Sequence, residues 1–259
     1  MVKQEKDFTL FYNFMKSKKL DRFFYQYDNE ISAKQYEIPI NLSSSYVGEG
    51  DTTLDWSCGN GHFSLYLAYK KSHVTGSSFY NAINEYLFNE PLFSLKIVDE
   101  KENTALPFDD DSFDSVFSIG VLEHVHETGG NQQHSLKEIR RIVRNEGHFL
   151  CFHLPNKYSY VENICRFIPN SLRKKLSIGV PHSKSFNKKA IAPMIEQAGF
   201  SLVDYGLYNF LPRNFSCALP TYLKNNRYCI SIFNGADQFL SSILPYLCSQ
   251  SYFIARKRA

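Results

Sequence analysis

The chain has 259 residues, 43% of them hydrophobic and 21% charged, with a formal net charge of +3. That is long enough to bury a sizeable core in one α/β domain, and too evenly charged to predict a nucleic-acid-binding surface. Six cysteines without a C-x-x-C pair, and no signal-peptide pattern ahead of them, predict reduced thiols and a cytoplasmic protein.

Residues 1–50 are helical in pattern and aromatic (Phe8, Phe11, Tyr12, Phe14, then Phe23, Phe24, Tyr25) and are expected to form an N-terminal helical cap, over the site or along the flank of the sheet. From Asp51 to the end, short β-rich runs alternate with helical patterns, which predicts one domain over 51–259: a Rossmann-like, doubly wound, mostly parallel seven-stranded sheet with helices on both faces. The expected strands are Thr53–Trp56, His73–Thr75, Leu95–Val98, Asp114–Ile119, His148–His153, Leu202–Tyr208 and Ser251–Ala255. Phe63, Tyr66 and Leu67 share one helical face, as do Leu136, Ile139, Ile142 and Val143 farther on; both faces read as core. A third helix is expected to start at an Asn187 cap, carry Ile191, Met194, Ile195 and Ala198 inward, and stop at Gly199.

Two long connections interrupt this alternation. The segment at about 156–186, with Pro169, Pro181 and the apolar residues Ile164, Phe167 and Ile168, reads as a lid-like insertion or as surface decoration. The other, Asn209 to Gln250, holds the most apolar run of the chain, yet Asn234, Asp237 and Gln238 interrupt it, so no transmembrane span is expected. Ile232, Ala236, Phe239, Leu240 and Ile243 fall at helical spacing there; core packing is the expectation and contact with a membrane surface the alternative.

The stretch Thr53-Leu54-Asp55-Trp56-Ser57-Cys58-Gly59-Asn60-Gly61-His62-Phe63 reads as a buried strand entering a turn poor in side chains that opens a helix. Gly59 and Gly61 can take positive φ and let a ligand approach the backbone, while the helix start offers free N–H groups. Cys58, with no basic neighbour in sequence, reads as a small packing residue.

This turn, followed by Leu106-Pro107-Phe108 and by Asp114 to Val125, resembles the class I S-adenosylmethionine-dependent methyltransferases, specifically the type 11 group. The resemblance implies that Asp55, Ser57, Cys58, Gly59 and Gly61 form the loop beneath the methionine part of S-adenosylmethionine, with Ser57 replacing the usual first glycine. It places Ser78 where the family has a ribose-binding acid, and Glu102 and Asn103 at the adenine. Ser118 and Gly120 would stand beside the cofactor, while Glu123-His124 would begin the next helix. Some similar methyltransferases hold a divalent metal through Glu-x-x-Glu-His; Gly120 stands at the first glutamate position, so no metal is expected. His153 and His182 are the candidate catalytic bases, because a near-neutral imidazole can remove a proton as the acceptor attacks the methyl group.

The implied activity is methyl transfer to an oxygen, nitrogen or carbon of a small-molecule, glycan or lipid-linked acceptor, with no nucleic-acid partner. A dinucleotide-dependent oxidoreductase is the weaker rival, since its fingerprint needs a glycine where Ser64 stands. The stronger rival is a non-catalytic binding or regulatory protein that keeps the fold, a reading prompted by Ser57 and Ser78.

Overall fold

The β-branched and aromatic runs hydrogen-bond into one seven-stranded sheet: β1 Thr52–Trp56, β2 His73–Ser78, β3 Phe93–Ile97, β4 Phe113–Ile119, β5 Val143–Pro155, β6 Phe200–Tyr208 and β7 Gln250–Lys257. The computed structural model describes residues 6–99, 105–169, 171, 181–213, 216 and 219–258. The strand order is β3-β2-β1-β4-β5-β7-β6. Strands β1 to β5 run parallel, and β7 lies antiparallel between β5 and β6, so the expected mostly parallel, doubly wound sheet forms. The chain moves outward from β1 to β3 and then returns to the other side of β1 as β4. This reversal opens a crevice at the carboxyl ends of β1 and β4, where ligands of open α/β sheets bind.

The α-helices among the described residues are α1 Asp7–Ser17, α2 Glu30–Ala33, α3 Glu37–Ser43, α4 His62–Tyr69, α5 Glu85–Phe88, α6 Gln132–Ile142, α7 Tyr160–Phe167, α8 Lys188–Gln197, α9 Thr221–Lys224 and α10 Arg227–Ile243. On one face of the sheet, Phe63 and Leu67 of α4 pack with Phe117 and Phe152 and with Phe11, Met15 and Ile40 from the first helices. On the other, Leu136 and Ile139 of α6 and Ile191 and Ile195 of α8 cover Leu54, Val116 and Phe149. Each such buried side chain contributes roughly 1.5–3 kcal/mol of transfer free energy. Asn187 caps α8 through the Ala190 N–H, and Gly199 follows it at φ +87°.

The amino-terminal helices lie against α4. Tyr66 Oη donates to the Ile40 carbonyl at 3.0 Å, and Lys70 Nζ is 2.7 Å from Asp7 Oδ2. From the other side Arg213 Nη1 donates to the Ile31 carbonyl at 3.1 Å, and Asn209 Nδ2 to the Gln35 carbonyl at 3.2 Å.

Three local expectations need correction. Glu123-His124 does not begin an α-helix: a 3-10 turn spans Val125–Thr128, and α6 starts only at Gln132, where Asn131 Oδ1 accepts from two backbone N–H groups. Strand β5 begins directly after α6, because Val143 pairs with Phe113 before a register shift brings His148 opposite Ser115. The apolar stripe of α10 is not core: Ile232 is 73% exposed and Phe239 62%. The physical reason is Asp237, which faces inward at 5% exposure and bonds Arg213 Nη2 at 2.6 Å, so the polar side of α10 turns toward the protein. Among the described residues no helix is long and apolar enough to cross a membrane.

Candidate functional site

Strand β1 delivers the chain into a turn stitched to β2. Cys58 N–H donates to the Ser77 carbonyl at 2.9 Å, Ser57 N–H to Ser77 Oγ at 3.2 Å, and Gly61 N–H closes the turn on the Cys58 carbonyl at 2.9 Å. Ser57, Gly59 and Gly61 all take positive φ, at 59°, 56° and 82°. At Ser57 that left-handed backbone is held without the freedom of glycine. The two glycines do different work. A Cβ on Gly59 would meet nothing within 4 Å, so space lies open over the backbone, whereas one on Gly61 would collide with Leu87 of α5.

Asp55 and Cys58 lie behind this turn. Asp55 is 1% exposed, accepts a 2.6 Å hydrogen bond from Ser64 Oγ, and burial pushes its carboxyl up to about 6. Cys58 Sγ packs 2.8 Å from the position a Gly76 Cβ would take, and burial raises its thiol well above the usual range. Both support the loop from within, and neither lines the crevice.

The crevice itself encloses about 770 Å³, its open mouth included, with Ser57, Ser78, Phe79, Leu106, Val121 and His124 on its walls. Ser57 and Ser78 thus meet at one cavity. Its far wall is pinned by Arg141, which donates to the carbonyls of Leu106 (2.9 Å) and Phe108 (2.8 Å) and to Glu138, itself the acceptor of Leu106 N–H. Glu102 and Asn103 lie outside the described residues.

Beyond the glycine turn a second group of polar side chains gathers. A Cβ on Gly120, itself at φ 70°, would stand 3.7 Å from Glu123 Oε1 and 3.8 Å from His153 Cβ, and Ser118 is wholly buried just before it. His153 also takes a positive φ of 62°; its N–H donates to Tyr208 Oη at 2.8 Å and its Nε2 to the Gln35 carbonyl at 3.3 Å. The Tyr36 ring lies 4.9 Å from His153 and 4.8 Å from His62. Gln26 and Asn60 exchange two 3.1 Å amide hydrogen bonds beside His62. Burial pushes His62 down to about 3, with His153 nearby adding to the effect, and pushes His153 down to about 4. Tyr27 Oη, His62 Nε2 and Glu123 Oε2 are buried without a hydrogen-bond partner among the described residues.

His182 stands on the other rim. Its Nδ1 is 2.8 Å from Glu162 Oε1 and its N–H donates to Glu162 Oε2 at 3.0 Å; the Glu162 carboxylate raises its pKa. Its ring lies 5.3 Å from that of His124. Glu123, 2% exposed, has its carboxyl pushed up to about 7 by burial. The absence of a metal was expected from the contiguous segment at Gly120; the fold brings His182 to Glu123 and His124 from a separate element, a juxtaposition no local spacing could show. Gln26, Tyr27, Tyr36 and Glu162 escaped the sequence reading because no motif marks them. Glu123-His124 at the end of β4 was visible but read as a helix start.

Residues 54–151 match the methyltransferase domain family. An uncharacterized protein of Methanocaldococcus jannaschii is 33% identical over 138 residues, 53% of this chain and 51% of that protein. A probable (S)-tetrahydroprotoberberine N-methyltransferase 2 of Papaver bracteatum is 28% identical over 116 residues, 42% of this chain and 32% of its own. The chain therefore aligns with about half or less of the length of these curated relatives. Among solved structures, the Burkholderia thailandensis 1,6-didemethyltoxoflavin-N1-methyltransferase with bound 1,6-didemethyltoxoflavin and S-adenosylhomocysteine shares the fold, with a TM-score of 0.55 at 15% identity over 97% of this chain and 88% of that one.

Proposed function

We propose that the protein, whose residues 54–151 match the methyltransferase domain family, is a class I methyltransferase that binds S-adenosylmethionine and moves its methyl group to an oxygen, nitrogen or carbon of a small-molecule, glycan or lipid-linked acceptor. The observation that carries this reading is the open space over Gly59 at a turn whose neighbours, Ser57 and Ser78, face one cavity at the strand-order reversal. Ser57 and Gly59 would hold the methionine part and Ser78 the ribose, with Glu102 and Asn103 toward the adenine. Asp55, Cys58 and Gly61 keep the turn in shape, and Ser118 and Gly120 border the reacting end.

When bound, the cofactor supplies a methyl group already activated on a sulfonium. The chain then has to align the acceptor, exclude water and accept a proton where the acceptor carries one. The wall formed by Gln26, Tyr27, Tyr36 and His62 serves exclusion, and its unpartnered Tyr27 Oη and His62 Nε2 offer polar contacts to an acceptor or to the methionine group. His153, neutral near pH 7 with Nε2–H on the Gln35 carbonyl, has Nδ1 as its accepting nitrogen. His182, with Nδ1 on Glu162, presents Nε2. The exposed apolar stripe of α10 favours a lipid-linked acceptor or contact with a membrane surface over a freely diffusing polar one. The described cysteines Cys58, Cys151, Cys165, Cys229 and Cys248 are all free, in keeping with a cytoplasmic setting.

A second reading, a non-catalytic binding protein, is favoured by Ser78 in place of a bidentate acid and by the Ser57 backbone at φ 59°. Calorimetric titration with S-adenosylmethionine and S-adenosylhomocysteine tests the proposal. Binding by the natural chain, lost in a folded Gly59→Arg variant, supports it and directs an acceptor screen. A well-folded protein that binds neither compound removes the cofactor assignments.

A further inference from the structure

We propose that Glu123, His124 and His182 form a binding site for one divalent first-row transition-metal ion at the edge of the cofactor cavity. Their ligand atoms all lie within 4.8 Å of one another. Bonds of about 2.0–2.2 Å to one ion need only a modest inward rotation of the side chains.

Two observations independent of that proximity point the same way. Both imidazoles are turned with Nδ1 on a carboxylate, His124 on Glu127 Oε1 at 3.0 Å and His182 on Glu162 Oε1 at 2.8 Å. This outer-shell pairing fixes the tautomer with its proton on Nδ1 and leaves the Nε2 lone pair for a metal. The third member, Glu123, is 2% exposed, and its Oε2 is buried without a hydrogen-bond partner among the described residues. A carboxylate so placed is costly unless something compensates it, and a cation held with two imidazoles does so.

Two imidazoles and one carboxylate are the donor set of zinc and of non-haem iron sites with open positions, and the nitrogen ligands select against magnesium and calcium. Glu123 and His124 follow β4, while His182 and Glu162 belong to the 156–186 connection. One ion would therefore tie that connection to the sheet edge. The inference goes beyond the methyltransferase reading and does not depend on it; an ion on His182 Nε2 would leave His153 as the proton acceptor of that reading.

Chelator-stripped full-length protein is titrated with Zn2+ by calorimetry and with Co2+ by visible absorption. The expected result is one ion per chain, with a cobalt spectrum free of thiolate charge transfer. Glu123→Gln and His182→Ala should each weaken binding at least tenfold, and Glu162→Gln about tenfold through the lost outer-shell bond. Thermal unfolding checks each variant. If Glu123→Gln does not fold, His124→Ala, altered at a half-exposed side chain, takes its place. S-adenosylhomocysteine affinity is measured on the same samples, so a failed metal titration with intact cofactor binding overturns this inference alone. No stoichiometric ion on folded natural protein, binding unchanged in the variants, or a thiolate signature placing the ion on cysteine overturns it.

Discussion

The turn after β1 and the proposed wall of Gln26, Tyr36 and His153 meet at His62, yet they are built on different principles. The turn is contiguous in sequence and held through its backbone N–H groups: Ser57 and Cys58 donate to Ser77 of β2, and Gly61 donates back to Cys58. The wall is assembled from distant segments, with Gln26 on Asn60, Tyr36 against His153, and the Gln35 carbonyl accepting from both His153 and Asn209. The turn can therefore adapt by single substitutions such as Ser57 without disturbing the wall, whereas the wall depends on anchors far from any reacting atom.

The largest effect should come from one such anchor. Arg213 joins the Ile31 carbonyl, Asn234 and the buried Asp237. Asp237→Ala leaves the guanidinium buried without its counter-charge, which is expected to cost about 3–5 kcal/mol in denaturant unfolding. A loss under about 1 kcal/mol would mean that the helices of residues 7–43 are held by their α4 contacts alone.

Acid separates the two regions next. His62 and His153 fall from 6.5 to about 3 and about 4 in the folded protein, so between 6.5 and those values the unfolded chain binds more protons. Their stabilising contribution is complete above pH 6.5 and is lost as pH falls through that window; His62→Gln should flatten the decline in Tm measured from pH 7 to 4. Asp55 has the opposite sign. Raised from 3.8 to about 6, it holds its proton more tightly when folded, so stability is lost as pH rises from 3.8 through 6. Asp55→Asn, which keeps an acceptor for Ser64, should stabilise the protein above pH 6 by up to about 3 kcal/mol and by little at pH 4.

Two smaller effects concern the crevice side, at the turn and at the end of β2. Ser78→Asp restores a bidentate acceptor and should tighten S-adenosylhomocysteine binding about tenfold, or about 1.4 kcal/mol, in the calorimeter. Unchanged affinity would place the ribose elsewhere. Ser57→Gly relieves a left-handed serine and should stabilise by about 1 kcal/mol in denaturant, with no change in the acid limb of the Tm profile.

How much of this was legible follows the same division. Alternation of strand and helix patterns carried the sheet, all seven strands and the core faces of α4, α6 and α8, because each is a local periodicity of 2 or about 3.6. Ser57, Gly59 and Ser78 could be named because the turn and the end of the next strand resemble a family motif; of these, Ser57 and Ser78 line the crevice. The α10 stripe misled, since one inward aspartate paired with Arg213 outweighed the pattern around it. Glu123 misled as well: the same carboxylate that would suit a helix start is buried at a 3-10 turn.

By itself, then, the sequence determined the α/β class, the strand count and the position of the glycine turn, all products of short-range backbone preference and burial pattern. Only the tertiary structure decided that Gln26, Tyr36 and His153 share a wall, that His182 reaches Glu123 and His124, and that α10 shows its apolar face outward. Those outcomes turn on contacts between residues tens to hundreds of positions apart, whose energies depend on which partner the whole fold brings near, and no local pattern encodes that.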